Sequence, residues 1–335
     1  MDWTIFAILL SDGLISGVFY ALLALALVLV FTVTRVIAVF IGELVMFAPL
    51  SYALLLQGEV PGTVWLTAAM LLLWAGLEWR SPKRALLLAL VALALVGLPF
   101  WGAQGAPQAP LWALAVFIVL PMGAATFRLF YEPLPRGTVL VYLILAVGLH
   151  FAYQGLGLVF FGPEQYRPAA LVRGGLTFGP VALRYQQLLV VAFAALVLVA
   201  LYLFFKRSLY GKALRAAAVN RLGARLSGIS PVEAGRVSLT LAAAVAAVSG
   251  MLIAPLTNAA YYMGFLLGLK GFVAAIIGGL VSYPLAVAGA LLVGVIESFS
   301  SFAASAYKEA IVFSLILPVL LYRSLTTFEL GEEEE

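Results

Sequence analysis

The chain has 335 residues, of which 64% are hydrophobic and 10% charged, with a mean hydropathy of +1.12. Water-soluble domains carry about 25% charged residues, so a globule with a water-facing surface is excluded and lipid is the natural solvent; at about 20 residues per span the length holds about ten spans and leaves no separate soluble domain. The absence of cysteine removes disulfides, thiol catalysis and thiolate metal sites, the single histidine His150 excludes a multi-histidine metal site, and the formal charge of +4 reads as basic membrane loops rather than nucleic-acid binding.

Hydropathy predicts an all-α polytopic helix bundle of about 10–11 segments, forming a single transmembrane domain over 1–335, near 4–33, 36–56, 63–79, 85–101, 111–130, 138–161, 186–205, 236–257, 263–281, 284–303 and 309–323. Met1 to Thr4 lacks a basic region and the next apolar stretch is long enough to span, so no cleavable signal peptide is expected. Glycine and proline mark the joints, at Pro61-Gly62, Ser81-Pro82, Gly162-Pro163 and Gly179-Pro180. Gly13 and Gly17 form a G-x-x-x-G pattern that permits close helix contact, although many membrane helices carry it by chance. The glycine-rich 263–281 stretch is short enough to be broken or re-entrant.

With the N-terminus outside and the C-terminus inside, fourteen of the 19 basic residues fall inside, four (Arg167, Arg173, Arg184 and Lys308) outside, and Lys270 within a span. Basic loops stay cytoplasmic, which favours this orientation. The 206–236 loop is the largest inside segment. Its Leu214, Ala217, Ala218, Leu222 and Leu226 recur at helical spacing, and Ser230-Pro231-Val232-Glu233 reads as a capping box that starts the next span. The loop is therefore expected to be an ordered amphipathic helix or helix pair, serving either as an anchor on anionic headgroups or as a docking surface for a cytoplasmic partner.

Ionisable groups at membrane depth are costly and need a partner or water. They are Asp12, Glu43, Lys270 and Glu297. Asp12 and Glu297 read as structural. Glu43, beside Gly42, reads equally as a path residue or a structural one. Lys270 has neighbouring glycines, and either donates to carbonyls of a broken helix or pairs with an acid. His150 and Gln154 share a helix face, where a lone histidine is more often a packing residue than a site.

Several pieces in order resemble the LivH-type permease subunits of branched-chain amino-acid ABC importers. They are Tyr20-Ala21-Leu22 and Thr34-Arg35-Val36-Ile37 in and after the first span, Gly42-Glu43 with Met46, the joint Tyr131, Pro133 and Arg136, Phe161-Gly162-Pro163, Gly211-Lys212-Ala213-Leu214-Arg215-Ala216 with Gly228-Ile229, Ala274-Ala275-Ile276-Ile277-Gly278-Gly279 with Tyr283-Pro284, and Glu297-Ser298 before Tyr307-Lys308-Glu309. The resemblance covers most of the chain apart from about 60–105. Residues 63–101 look like a two-helix insertion, which preserves the downstream topology. Ala38 and Ile41 replace the family's asparagine and histidine, and Glu132 replaces a basic residue.

The resemblance implies a multi-pass subunit of the bacterial or archaeal inner membrane, with no chemistry or cofactor of its own. It would pass branched-chain amino acids, or urea, a nucleoside or a simple sugar, by alternating access. Its partners would be cytoplasmic ATP-binding subunits, a second, related permease subunit, a periplasmic or lipid-anchored substrate-binding protein and membrane lipid. Leu214, Arg215, Arg221, Leu222, Arg225, Leu226, Gly228 and Ile229 would couple to the ATPase, the leucines and isoleucine by apolar docking and the arginines by pairing with acids. Gly42, Glu43, His150, Gln154 and Lys270 would line the path. A self-sufficient pump would need a P-loop, and Gly211-Lys212, followed by alanine, is none. An ion-coupled secondary transporter predicts an inverted repeat, which the sequence does not display. An intramembrane enzyme needs a catalytic constellation that the sequence lacks.

Overall fold

The computed structural model describes residues 2–102, 106–134, 138–321 and 325, and only the backbone of Trp101, Gly102 and Arg221. Arg136, Arg323 and the acidic tail lie outside the described residues. The described chain is a helix bundle: α1 (Trp3–Thr34), α2 (Ile41–Leu56), α3 (Gly62–Leu77), α4 (Pro82–Gly102), α5 (Gln108–Thr126), α6 (Val139–Phe161), α7 (Tyr185–Arg207), α8 (Leu209–Val219), α9 (Arg221–Leu226), α10 (Pro231–Thr257), α11 (Met263–Ile277), α12 (Tyr283–Ala304) and α13 (Lys308–Ser314). A hairpin of β1 (Gly175–Phe178) and β2 (Val181–Arg184) precedes α7. Among the described residues, seven helical stretches are long and apolar enough to cross a membrane, and α2, α3 and α11 are shorter apolar helices. The expected segments 284–303 and 309–323 both fall within the last of these stretches, Tyr283–Leu321, which the 3-10 turn Ser305–Tyr307 divides.

The centre of the bundle is α1, whose residues from Phe19 to Val30 are all buried, surrounded by α2, α7, α10, α11 and α12. Lipid is as apolar as leucine, so packing inside a membrane depends on close approach and hydrogen bonds rather than on expelling water. The Gly13/Gly17 pair does this against α12: a Cβ on Gly13 would lie 2.7 Å from Val295 Cα and one on Gly17 2.7 Å from Leu291 Cα. Gly294 faces them from the other helix. Hydroxyls tie other helices together, with Ser238 Oγ donating to Leu29 O (3.2 Å), Ser298 Oγ to Leu9 O (2.8 Å) and Thr67 Oγ1 to Ile118 O (3.0 Å).

The structure departs from hydropathy in places. Val36–Phe40 is not helical, so the segment expected from 36 begins its helix only at Ile41. Arg35 takes a left-handed conformation (φ 61°) that closes α1. α5 ends in a π-helical turn, Phe127–Tyr131. After α12 the chain reverses. Glu297 and Glu309 both reach Lys270 Nζ, at 2.5 and 3.2 Å. Twelve residues span roughly 18 Å along a straight helix, so the 3-10 turn Ser305–Tyr307 must fold α13 back along α12. The connection from α6 to the hairpin joins the Asn258–Tyr262 joint at one end of the bundle, through paired backbone bonds between Tyr166 and Ala259. α8 and α9 sit at the opposite end, beside the ends of α1 and α5 and the start of α10.

Candidate functional site

α8 and α9 are built by local rules. Ser208 caps α8 by accepting from Gly211 N–H (2.8 Å), and Asn220 caps α9 by accepting from Gly223 N–H (2.8 Å). Gly211 lies against the carbonyl of Phe204, where a Cβ would collide, so the turn from α7 into α8 requires glycine. Gly228 closes α9 at φ +79°, a left-handed position that glycine adopts without strain. The expected amphipathic element is therefore a pair of helices.

The faces sort the predicted residues. Leu214, Ala217 and Ala224 are buried against the bundle. Leu214 is thus corrected: its side chain faces its own subunit, because α8 needs an apolar face to hold it to the bundle, and it offers nothing to a partner. Leu222 and Leu226 are 69% and 82% exposed, and Val219 is exposed with them. Arg215 and Arg225 are exposed and Ile229 half-buried, while the Arg221 side chain is outside the described residues. Arg225 also lines a cavity of about 80 Å³ with Tyr131, Glu132 and Pro231. The outer face of this loop thus carries exposed leucines among arginines.

Behind this surface lies an ion network that the sequence analysis did not anticipate. Arg236 donates from Nη2 to Glu132 Oε2 (2.6 Å) and from Nη1 to Glu233 Oε1 (2.9 Å). Arg128 donates to Glu132 Oε1 (2.7 Å) and lies 3.5 Å from Glu78. Trp74 of α3 stacks under the Arg236 guanidinium at 5.4 Å. Glu132, noted only as a departure from a family pattern, therefore joins α5 to α10, and Glu78 attaches α3. The capping box before α10 is half formed. Ser230 Oγ accepts from Glu233 N–H (3.3 Å), but the Glu233 carboxylate turns to Arg236 instead of returning to Ser230. The Arg128–Glu132 spacing of four residues was the available signal.

Two polar clusters lie inside the bundle. Glu43 Oε1 and His150 Nδ1 are 2.6 Å apart, both residues buried, and the imidazole stacks on Phe265 at 4.4 Å. Among the described residues Glu43 Oε2 has no hydrogen-bond partner, and it would lie 2.9 Å from a Cβ on Gly264. Gly42 packs against that same Gly264, so it serves the α2–α11 crossing rather than facing open space. Gln154 is half-buried one turn beyond His150. The second cluster holds Lys270, buried between Glu297 and Glu309 and 5.5 Å from the Tyr20 ring centroid, with Tyr20 donating to Glu297. Lys270 thus pairs with acids, the second of its two expected solutions. The structure joins Glu43 to His150 but leaves Lys270 in a separate cluster. Among the described residues no group of three acids and histidines is arranged to hold a metal.

Comparison with known proteins places these features in context. The family described as branched-chain amino acid transport system / permease component matches residues 9–320. The chain is 31% identical over 245 residues to the high-affinity branched-chain amino acid transport system permease protein BraD of Pseudomonas aeruginosa, covering 69% of this chain and 79% of that protein. It is 30% identical over 214 residues to the LivH permease proteins of Salmonella typhimurium and Escherichia coli K12, covering 62% of this chain and 70% of each. No solved structure matches the chain.

Proposed function

Because the chain belongs to the branched-chain amino acid transport permease family, we propose that it is the membrane-spanning subunit of an importer for branched-chain amino acids, driven by separate ATP-binding subunits. The observation that carries this reading is the α8–α9 pair, an ordered surface that presents Leu222, Leu226, Arg215 and Arg225 away from the bundle. Gly211-Lys212 lies within α8, whereas phosphate cradling needs a glycine-rich loop, so ATP is hydrolysed on another chain. The basic α8–α9 end faces the cytoplasm, which puts the β1–β2 hairpin outside, where a substrate-binding protein delivers cargo. The C-terminus is inside, and the membrane is the cytoplasmic one.

In this reading ATP-driven closure of the ATPases pushes on α9, and the push passes through Ile229 and Pro231 into α10. The ion network around Arg236 makes α3, α5 and α10 move together. Residues 63–101 are an added helix pair whose first member, α3, is locked to α5. A path at the seam between two permease subunits runs past Glu43, His150, Gln154 and Lys270.

The test is uptake by proteoliposomes holding this chain with its ATPase and binding-protein partners. Labelled leucine accumulates only with ATP inside the ATPase compartment, and unlabelled urea, adenosine or ribose do not compete. ATP-independent uptake driven by an ion gradient would contradict the reading.

A further inference from the structure

We propose that the hairpin end of this subunit binds the free zwitterion of the cargo amino acid, with Arg184 taking the carboxylate and Asp12 the ammonium. This rests on the reading of the cargo as an amino acid and adds where, and by which groups, this chain first holds it.

Basic residues are scarce on the outer side of membrane proteins, yet Arg167, Arg173 and Arg184 line one cleft of about 370 Å³, with no acid among the described residues that line it. A second cleft of about 370 Å³ shares Arg184 and Leu256 with the first, and its acid is Asp12. Both volumes fall within the roughly 300–1,000 Å³ of small-molecule sites. Among the described residues none of these four charges has an ion-pair partner. Asp12 and Arg184 therefore line the same space without neutralising each other.

The groups are held in place by the fold. α1 has 32 residues, more than the roughly 20 that span a bilayer, so its first turns rise to the hairpin end. Gly13 and Gly17, packed on α12, fix the stretch that carries Asp12 and Ser16. Arg184 pairs with Gly175 in the hairpin, and its N–H donates to Gln187 Oε1 (2.8 Å). Tyr185 N–H donates to Gly174 O (3.0 Å), which sets Arg173 beside the same stem. Gln186, 1% exposed, ties the loop before the hairpin to α10 through Leu171 N–H and Leu252 O.

The occupant must answer an excess of cations on one side and a lone carboxylate on the other. An α-amino acid does so from one carbon: its carboxylate accepts paired bonds from a guanidinium fork, and its ammonium donates to Asp12. Ile15, Phe19 and Leu256 supply an apolar wall for a branched side chain. A plain anion would leave Asp12 unanswered, and a plain cation would be repelled by the arginines.

Scintillation-proximity binding of tritiated leucine to the permease–ATPase complex, in phosphatidylglycerol nanodiscs without the substrate-binding protein, tests this. The competitor 4-methylpentanoate lacks only the ammonium and separates the two roles. Arg184→Gln and Asp12→Asn should each weaken leucine about tenfold or more, as the loss of a hydrogen bond to a charged group does. R184Q should weaken 4-methylpentanoate equally, whereas D12N should not, so D12N loses the preference for leucine. If R184Q does not assemble, protection of wild-type Arg184 from phenylglyoxal by leucine, read by peptide mass spectrometry, replaces it, and no protection counts against the site. Absence of saturable leucine binding, or equal affinity in wild type and both variants, would overturn the proposal. So would displacement of leucine by phosphoethanolamine at lower concentration than by leucine itself, which assigns the clefts to a lipid headgroup. Loss of binding-protein association with leucine binding intact assigns them to docking and overturns it too. ATP-driven leucine uptake by the wild type separates the two readings: if uptake persists, the importer stands without this site, and if there is none, the importer reading fails as well.

Discussion

His150→Leu removes from Glu43 the one hydrogen-bond donor it has among the described residues and leaves a buried carboxylate unpaired. Breaking a buried pair costs about 3–5 kcal/mol, while replacing both partners with apolar residues is often neutral. H150L should therefore lower the melting temperature in detergent sharply, and E43L/H150L should recover most of the loss. Leucine uptake separates the roles: a stable but inactive double variant places the pair on the path, whereas a stable and active one makes it a packing device. Glycines allow a second comparison at this scale. A Cβ on Gly250 would overlap the Val45 carbonyl oxygen, whereas one on Gly148 meets nothing within 4 Å. G250A should separate α10 from α2 and destabilise by more than 1–3 kcal/mol, the usual cost of overpacking, and G148A should be nearly silent in the same melting assay. Sequence alone singled out Glu43, Lys270 and Glu297 but not their partners, because Glu43 and His150 are 107 positions apart and only the fold joins them.

At the scale of elements, α8 and α9 separate two kinds of leucine that share one sequence pattern. Leu214→Ala opens a cavity under a buried side chain and should cost about 2–5 kcal/mol, visible as lost yield. L222A/L226A should melt like wild type and release the ATPase subunit at lower salt. Equal melting temperatures for the two variants would contradict the assigned faces. The clasp between α5 and α10 makes a parallel prediction. Glu132→Ala strips Arg236 of two hydrogen bonds to a charged acceptor, worth about 1.5–3 kcal/mol for such a bond, and a drop in melting temperature should be restored partly by Asp at 132. Hydropathy revealed the helices because spanning segments are long and apolar. It missed the start of α2, since Val36–Phe40 is as apolar as the helix that follows. It also missed β1 and β2, each four residues long, too short for a two-residue alternation to register, although Gly179-Pro180 was already marked as a joint and is the hairpin turn.

The whole molecule combines a rigid centre, α1 with its ring of helices, and two polar ends with different tasks. The hairpin end is tied by backbone pairing between Tyr166 and Ala259 and by Gln186, whose Oε1 accepts from Leu171 N–H and whose Nε2 donates to Leu252 O. The opposite end carries α8 and α9 over an ion network that spans three helices, an arrangement suited to receiving force and passing it into α10. Fold class and the loop's ordered character were legible because they follow from composition and short-range pattern. The clasp, the α12–α13 reversal and the inward turn of Leu214 were not, since each depends on long-range packing. The most direct test of the account is co-purification of the ATP-binding subunit with tagged wild-type permease and with R215E/R225E in mild detergent. The account predicts that the subunit accompanies the wild type and is lost from the variant, whose melting temperature is unchanged. Retention of the subunit by the variant, or failure of any ATP-binding subunit to accompany the wild type, would contradict it.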